Sequence, residues 1–102
     1  MTTTTQLDGT SVFRRTQDVV CRSVGAESIL VPIRNNVGNL DFVYTLSPVA
    51  ARIWSLLDGV RTTDEVVTSI CDEFDVDRDT AEADVAALIQ DLAGVSLVSR
   101  VA

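Results

Sequence analysis

The chain has 102 residues, of which 46% are hydrophobic, and a formal net charge of -7 at pH 7. This length suits one domain with a modest core, and the negative charge disfavours a nucleic-acid partner, which would be bound through clustered Lys and Arg. No apolar run is long enough to span a membrane, and the first residues lack the apolar segment of a secretory signal, so we expect a cytoplasmic protein with no membrane partner.

The N-terminal segment has a composition unlike the rest of the chain. Residues 1–17 are rich in Thr and show no hydrophobic periodicity, so they are predicted to form a flexible tail with Phe13 as an anchor. Residues 18–102 are then predicted to form a single domain.

Three strands are predicted after the tail. Residues 18–24 and 28–33 are rich in β-branched side chains and form a hairpin; Pro32 places the second strand near an edge or at a bulge. Residues 34–40 form a loop rich in Asn and Gly, and residues 41–46 alternate as a third strand. This third strand has a packed face of Phe42, Tyr44 and Leu46, and an outer face of Asp41, Val43 and Thr45.

The first of three predicted helices has both of its ends marked. Ser47 is a good N-cap, Pro48 suits the first helical position, and Gly59 is placed to end the helix in a left-handed conformation. Trp54 is predicted to anchor the core from this helix. The apolar stripe at helical spacing also contains Val49, Ala50, Ile53, Leu56 and Leu57.

Two further helices complete the predicted fold. The second begins at Thr62 with a capping box closed by Glu65, and the third begins near Asp77 or Asp79 and ends at Gly94. Residues 95–101 form either a short strand or a packed tail. The predicted class is therefore α+β, a three-stranded antiparallel sheet followed by three helices, with a winged-helix-like core.

Catalytic and metal-binding patterns are not evident. Histidine is absent, which removes the commonest general base, and there is no glycine-rich phosphate loop or GxSxG elbow. Cys21 and Cys71 are expected to be small buried hydrophobes in a reducing cytosol, and without histidine they do not indicate a zinc site. We therefore predict that the chain is not an enzyme and has no catalytic residues, cofactor or metal. An acidic cluster lacks the glycine and the closing glutamate of a calcium loop, and helix caps and a solvated surface explain it better: Asp72, Glu73, Asp75, Asp77 and Asp79.

Binding is the function class that remains. If strand 41–46 lies at a sheet edge, its unpaired backbone groups can accept a peptide as an added strand. The third helix has an apolar stripe beside Asp84 and Asp91. A groove between the two would offer main-chain hydrogen bonds, apolar pockets and an acidic rim for basic side chains. The alternative is that the apolar stripe, which includes Leu88, Ile89 and Leu92, belongs only to the core.

Five short motifs follow one another in a recognisable order: YTLS (44–47), IWSLLDG (53–59), RTTDEVV (61–67), DVD (75–77) and EADVAALIQDLAG (82–94). Their order and spacing resemble those of the PqqD-like peptide chaperones, also called RiPP recognition elements, over roughly residues 18–98. Two features depart from the common pattern: the loop at 34–40 is longer than in many members, and the N-terminal tail is not part of the shared core.

The resemblance implies a function and a site. Such domains bind the leader of a ribosomally made precursor peptide, which adds beside the third strand and lies against the third helix, and they present it to a modifying enzyme, often a radical SAM enzyme. On the strand, the resemblance implies contacts from Asp41, Phe42, Val43, Tyr44 and Thr45. On the helix, it implies contacts from Ala81, Asp84, Val85, Leu88, Asp91 and Leu92.

Other readings of the sequence stay open. A winged-helix DNA-binding regulator would need a basic recognition helix, whereas residues 79–92 contain acids and no Arg. A carrier protein would need a serine at a helix start for a pantetheine arm, and Ser69 does not stand in that setting. A protein-interaction or oligomerisation module without a peptide ligand is a third reading, and a homodimer formed through the same strand edge is a fourth.

Overall fold

The computed structural model describes residues 9–17, 19–32 and 44–101 as an α+β fold of three helices and six strands in two three-stranded sheets. The α+β class is confirmed, but two sheets replace the single expected one, and the winged-helix likeness stays a prediction. None of the described helices has the length and apolar character needed to cross a bilayer. The elements are β1 (Val12–Arg15), β2 (Val19–Val24), β3 (Glu27–Pro32), β4 (Tyr44–Leu46), α1 (Pro48–Leu56), β5 (Asp58–Thr62), α2 (Thr63–Phe74), α3 (Arg78–Gly94) and β6 (Val98–Arg100).

The first sheet, here called the meander sheet, contains β2, β3 and β4 in that order. β2 and β3 form the predicted hairpin, with Val19 opposite Pro32 at its open end. The turn contains Gly25 at a φ of +63°, a conformation that glycine adopts without a Cβ penalty. β3 pairs with β4 on its other side, so it is central rather than near the edge that Pro32 suggested. Residues 33–43, including the predicted loop, lie outside the described residues.

The second sheet, here called the closing sheet, contains β5, β1 and β6 in that order and joins segments that are distant in sequence. Its central strand, β1, places Phe13 opposite Arg100 of β6, and Phe13 is 6% exposed, which confirms its predicted role as an anchor. The flexible tail predicted for residues 1–17 is wrong at 12–15, which form β1. The strand was missed because both of its partners come from the far half of the chain. Residues 1–8 lie outside the described residues.

Helix α1 begins as predicted and ends earlier than predicted. The Ser47 hydroxyl accepts a hydrogen bond from the Ala50 N–H at 3.1 Å, which satisfies a backbone donor in the first turn. The helix ends at Leu56, with Leu57 as its C-cap, so the predicted termination at Gly59 is wrong. Leu57 turns into the core, where it is 2% exposed, and the chain then enters β5. Gly59 has a φ of +82°, but it lies within β5, which pairs with β1.

The C-terminal end of α1 is closed by a residue from the closing sheet. The Arg15 guanidinium donates to the Trp54 carbonyl at 3.1 Å and to the Ser55 carbonyl at 2.7 Å. These carbonyls belong to the last turn, where α1 has no basic residue of its own and where the helix dipole favours positive charge. A side chain remote in sequence therefore supplies the charge that the helix lacks.

Helices α2 and α3 begin where their caps were predicted. The Thr62 N–H donates to the Glu65 carboxylate at 2.8 Å, and the Glu65 N–H donates to the Thr62 hydroxyl at 3.2 Å, which completes the capping box. The Asp77 carboxylate accepts from the Thr80 N–H at 2.8 Å and caps α3, which ends at Gly94. The residues that follow form β6, so the strand alternative for the chain end is confirmed.

One hydrophobic core lies between the helices and the two sheets. Trp54 is 4% exposed, which confirms it as a core anchor. Burying such a side chain fully stabilises the fold by about 1.5–3 kcal/mol relative to leaving it exposed. The side chains that are least exposed come from the meander sheet, from all three helices and from the segment before β6: Leu30, Leu46, Ile53, Val66, Ile70, Val85, Ile89, Leu92 and Leu97.

The two cysteines differ in exposure. Cys71 is half-buried on α2 and packs against the core, while Cys21 is exposed on β2, and both are free thiols. The expectation that both are buried is therefore wrong for Cys21. The reason is that β2 is an outer strand, and among its six residues only Val19 is buried.

Candidate functional site

Strand β4 forms the end of the meander sheet opposite β2, and its described pairing is with β3 alone. Tyr44 is half-buried, Thr45 is exposed and Leu46 is buried, which matches the predicted alternation at these three positions. The N–H and C=O groups along an edge strand are a template for one more strand. Three of the predicted site residues lie outside the described residues: Asp41, Phe42 and Val43.

A groove of about 280 Å³ lies beside this edge, between the start of α1 and the middle of α3. Its size is below that of most small-molecule pockets and suits one or two amino-acid side chains. Apolar side chains form most of its lining, and carboxylates come from α3. The lining residues are Ser47, Val49, Ala50, Ile53, Asp84, Leu88 and Asp91.

The six predicted α3 residues divide into two stripes on the helix. Asp84 and Asp91 are exposed, Leu88 is half-buried, and all three line the groove. The other three lie in the core, so their side chains hold α3 against the rest of the fold rather than face the groove. Their exposed fractions are 0% for Ala81, 1% for Val85 and 0% for Leu92. Asp84 and Asp91 of the groove stripe each stand one position before a core residue, Val85 and Leu92. The two stripes are therefore separated by a rotation of about 100° around the helix.

Helix α1 contributes lining residues that the sequence analysis did not assign to a site. Val49 and Ala50 are half-buried in its first turn, and Ile53 is buried one turn later. From the sequence, only Trp54 of this helix is predicted to anchor the core, and no residue of the helix is predicted to line a site. The available signal was the width of the apolar stripe of α1, because Val49 and Ala50 extend it beyond the positions that one core-facing surface needs.

Strand β4 and helix α3 are electrostatically coupled across this surface. Burial of the Tyr44 phenol raises the pKa of Tyr44 above its ordinary value, and the negative charge of Asp91 raises it further. Both effects disfavour the phenolate, the first by desolvation and the second by repulsion between like charges. The Tyr44 phenol therefore lies within electrostatic range of Asp91, and Ser47, which lines the groove, directly follows Leu46 of β4.

The carboxylates of the groove belong to the described acids that have no arginine partner. Among residues 9–17, 19–32 and 44–101, neither Asp84 nor Asp91 forms an ion pair. Both side chains are exposed, so a basic group on a ligand can reach them. Arginines pair instead with Asp58, Asp64, Glu73 and Glu82.

The chemistry of this surface is that of recognition. Within the described part of the chain, no three Cys, Asp or Glu side chains are grouped so that they could hold a metal ion. The one hydroxyl in the groove, that of Ser47, caps α1. A strand that pairs on one side only among the described residues, beside apolar side chains and exposed carboxylates, can bind an extended peptide through its main chain and alternate side chains.

Comparisons with known proteins identify a family and a similar solved structure. Residues 27–98 match the family model for coenzyme PQQ synthesis protein D (PqqD). A solved structure of TbiB1 in complex with the TbiA(beta) leader peptide is similar to this chain, with a TM-score of 0.66 and 30% sequence identity. The similarity covers 84% of this chain and 94% of that chain. No match was found among curated proteins.

Proposed function

This chain belongs to the PqqD family, and on that premise we propose that it is a non-catalytic RiPP recognition element. In this proposal it binds the leader of a ribosomally synthesised precursor peptide. The leader adds as a strand at the free edge of β4, and its alternate side chains enter the groove. The chain then presents the bound peptide to a modifying enzyme, for which we propose the radical SAM class.

The observation that carries this proposal is that the groove lies next to β4 in the chain, because Ser47, which lines the groove, follows Leu46 directly. Tyr44 lies on the face of β4 that turns inward, and Asp91 of the groove is near enough to raise its pKa. A strand added beside β4 would project every second side chain to that same face. The likeness to TbiB1, whose structure contains a leader peptide, supports a peptide as the occupant.

The main rival function, DNA binding through α3, is disfavoured by the charges on that helix. Asp84 and Asp91 line its groove-facing stripe. Its one arginine, Arg78, is paired with Glu82 at 3.3 Å and with Asp64 at 3.5 Å. A recognition helix needs basic groups that are free to neutralise phosphates.

Two further aspects belong to the proposal. We place the chain in the cytoplasm, where its peptide and enzyme partners would be made. A homodimer formed through the β4 edge would occupy the backbone groups that the leader needs, so dimer and peptide complex are expected to compete. Size-exclusion chromatography with added leader would detect that competition as a shift from dimer to a one-to-one complex.

The direct test is an NMR titration of the labelled protein with the leader of a precursor encoded beside it. We expect chemical-shift changes concentrated at residues 44–50 and 84–91, because these positions form the edge and the groove. Changes confined to the closing sheet would contradict the proposed site. An absence of changes at saturating peptide would contradict the proposed function for that peptide.

A charge placed in the groove should weaken leader binding. Leu88→Asp removes an apolar contact and adds a third carboxylate, so we expect the dissociation constant to rise about tenfold or more, which is about 1.4 kcal/mol. Ala87→Asp is the matched control, because it adds the same charge at an exposed neighbouring position outside the groove. Calorimetric affinities should be compared only after circular dichroism shows that both variants are folded; equal affinities would remove Leu88 from the site.

A further inference from the structure

The groove has a charge pattern that restricts its ligand. Asp84 and Asp91 are seven positions apart on α3, which places them on nearly the same face and about 10 Å apart along the axis. Leu88 lies between them and is half-buried in the groove. The groove therefore presents a carboxylate, an apolar surface and a second carboxylate in a row.

Side chains on one face of an added strand would recur at nearly the spacing of the two carboxylates. Side chains on one face of a strand recur every second residue, so positions i and i+4 are about 13 Å apart, with i+2 midway. The side chains that would face the groove are those on the same face as Tyr44 and Leu46, since Leu46 is buried and Tyr44 is near Asp91. The long, flexible side chains of Arg and Lys can cover the difference of about 3 Å between the two spacings.

We propose that the groove selects a leader segment of the pattern basic-x-apolar-x-basic. The apolar side chain packs on Leu88, Val49 and Ala50, and the two basic side chains pair with Asp84 and Asp91. This inference rests on the proposed function, because it specifies the leader that would occupy the same edge and groove. The pattern reads identically in both directions, so it holds whether the leader runs parallel or antiparallel to β4.

The availability of the two carboxylates supports this assignment. Asp84 and Asp91 are exposed, line the groove and have no arginine partner in the described part of the chain. Exposed ion pairs are weak, so we expect each basic residue of the leader to improve affinity by about two- to fivefold. The gain should decrease at high salt, because exposed charges are screened.

The test is a display selection of short peptides that have a fixed central leucine and random residues around it. On the wild-type protein, we expect enrichment of Arg and Lys two positions before and two positions after the leucine. That enrichment should be lost on the Asp84→Asn/Asp91→Asn variant. It should persist on Asp72→Asn, a matched control that removes one exposed carboxylate of α2 outside the groove.

The outcomes separate this inference from the function on which it rests. One outcome is that peptides are enriched on the wild type but not on Leu88→Asp, and that they lack basic residues at the two positions. This outcome would support the groove as the binding site and overturn the charge pattern. Equal enrichment of basic residues on the double Asn variant would overturn it as well. If no peptide is enriched on the wild type relative to Leu88→Asp, the proposed function itself fails, and the charge pattern fails with it.

The affinity of one selected peptide then measures how much its two basic residues contribute to binding. Replacing both of its basic residues by Gln should weaken binding to the wild type about four- to twentyfold at low salt. The same replacement should change binding to the Asp84→Asn/Asp91→Asn variant by less than about twofold. An equal loss on both proteins would show that the basic residues do not contact these carboxylates.

Discussion

The closing sheet and the meander sheet each have three described strands, but they differ in what they bury. The closing sheet places Phe13 and Val98 in the core at 6% and 3% exposure and joins segments from distant parts of the chain. The meander sheet leaves most of β2 exposed and leaves one side of β4 without a described partner. Both sheets therefore contribute to the core, since Leu30 and Leu46 of the meander sheet are 0% and 1% exposed, but the candidate binding surface lies beside the meander sheet alone.

This difference has a physical reason. A strand that pairs on both sides and packs on the core has neither backbone groups nor apolar surface left for a ligand. A strand that must accept a ligand strand has to remain an edge, and its own contribution to stability is smaller. The three predictions below test this division, in order of decreasing expected effect.

The largest effect is expected in the closing sheet. Phe13→Ala should lower the free energy of unfolding by about 3–5 kcal/mol, because it leaves a cavity in the core. Val24→Ala in β2 is the matched control: Val24 is 57% exposed, and we expect a change within about 0.5 kcal/mol. Urea denaturation followed by Trp54 fluorescence measures both. Similar losses in the two variants would contradict the role of Phe13 as a core anchor of the closing sheet.

An intermediate effect is expected where the closing sheet meets α1. Arg15→Ala removes the charged donor to the Trp54 and Ser55 carbonyls, and we expect a loss of about 1–2 kcal/mol, reduced from the value for a fully buried bond by solvent exposure. Arg14→Ala changes the adjacent, exposed arginine and should cost less than about 0.5 kcal/mol. If Arg14→Ala lowers the free energy of unfolding as much as Arg15→Ala does, the lost hydrogen bonds to the end of α1 are not the cause of the Arg15 effect.

The smallest effect concerns the binding surface itself. Tyr44 is the single tyrosine of the chain, so its ionisation can be followed by ultraviolet absorbance. We expect it to titrate above its ordinary pKa of about 10, because burial and Asp91 both disfavour the phenolate. Asp91→Asn should lower the Tyr44 pKa only part of the way, since burial is the larger cause. Asp72→Asn should leave the Tyr44 pKa unchanged.

If the Tyr44 pKa is unchanged in Asp91→Asn, Asp91 is not near the Tyr44 phenol. That result would argue against a binding surface that includes both β4 and the groove. Circular dichroism over the same pH range is the control for alkaline unfolding. Because these measurements need no peptide, they test the geometry of the surface independently of the identity of its ligand.

The parts of the fold that could be predicted from sequence are those with local causes. Ser47, Thr62 and Asp77 start helices through hydrogen bonds to residues three positions away, and this chemistry is visible in any short window. The β2–β3 hairpin closes through a tight turn at Gly25. The groove was predicted only in outline, because Leu88 fits both a core stripe and a binding stripe.

The helix starts, the hairpin, most of the core and the family motifs can be predicted from the sequence, since each depends on residue types within one or two turns of chain. The closing sheet, the early end of α1 and its cap by Arg15 cannot, because they arise from contacts between segments that are remote in sequence. The tertiary structure also separated the core residues Ala81, Val85 and Leu92 from the groove residues Asp84, Leu88 and Asp91. Both stripes share one helical period, and only the packing of neighbouring elements shows which of them is covered.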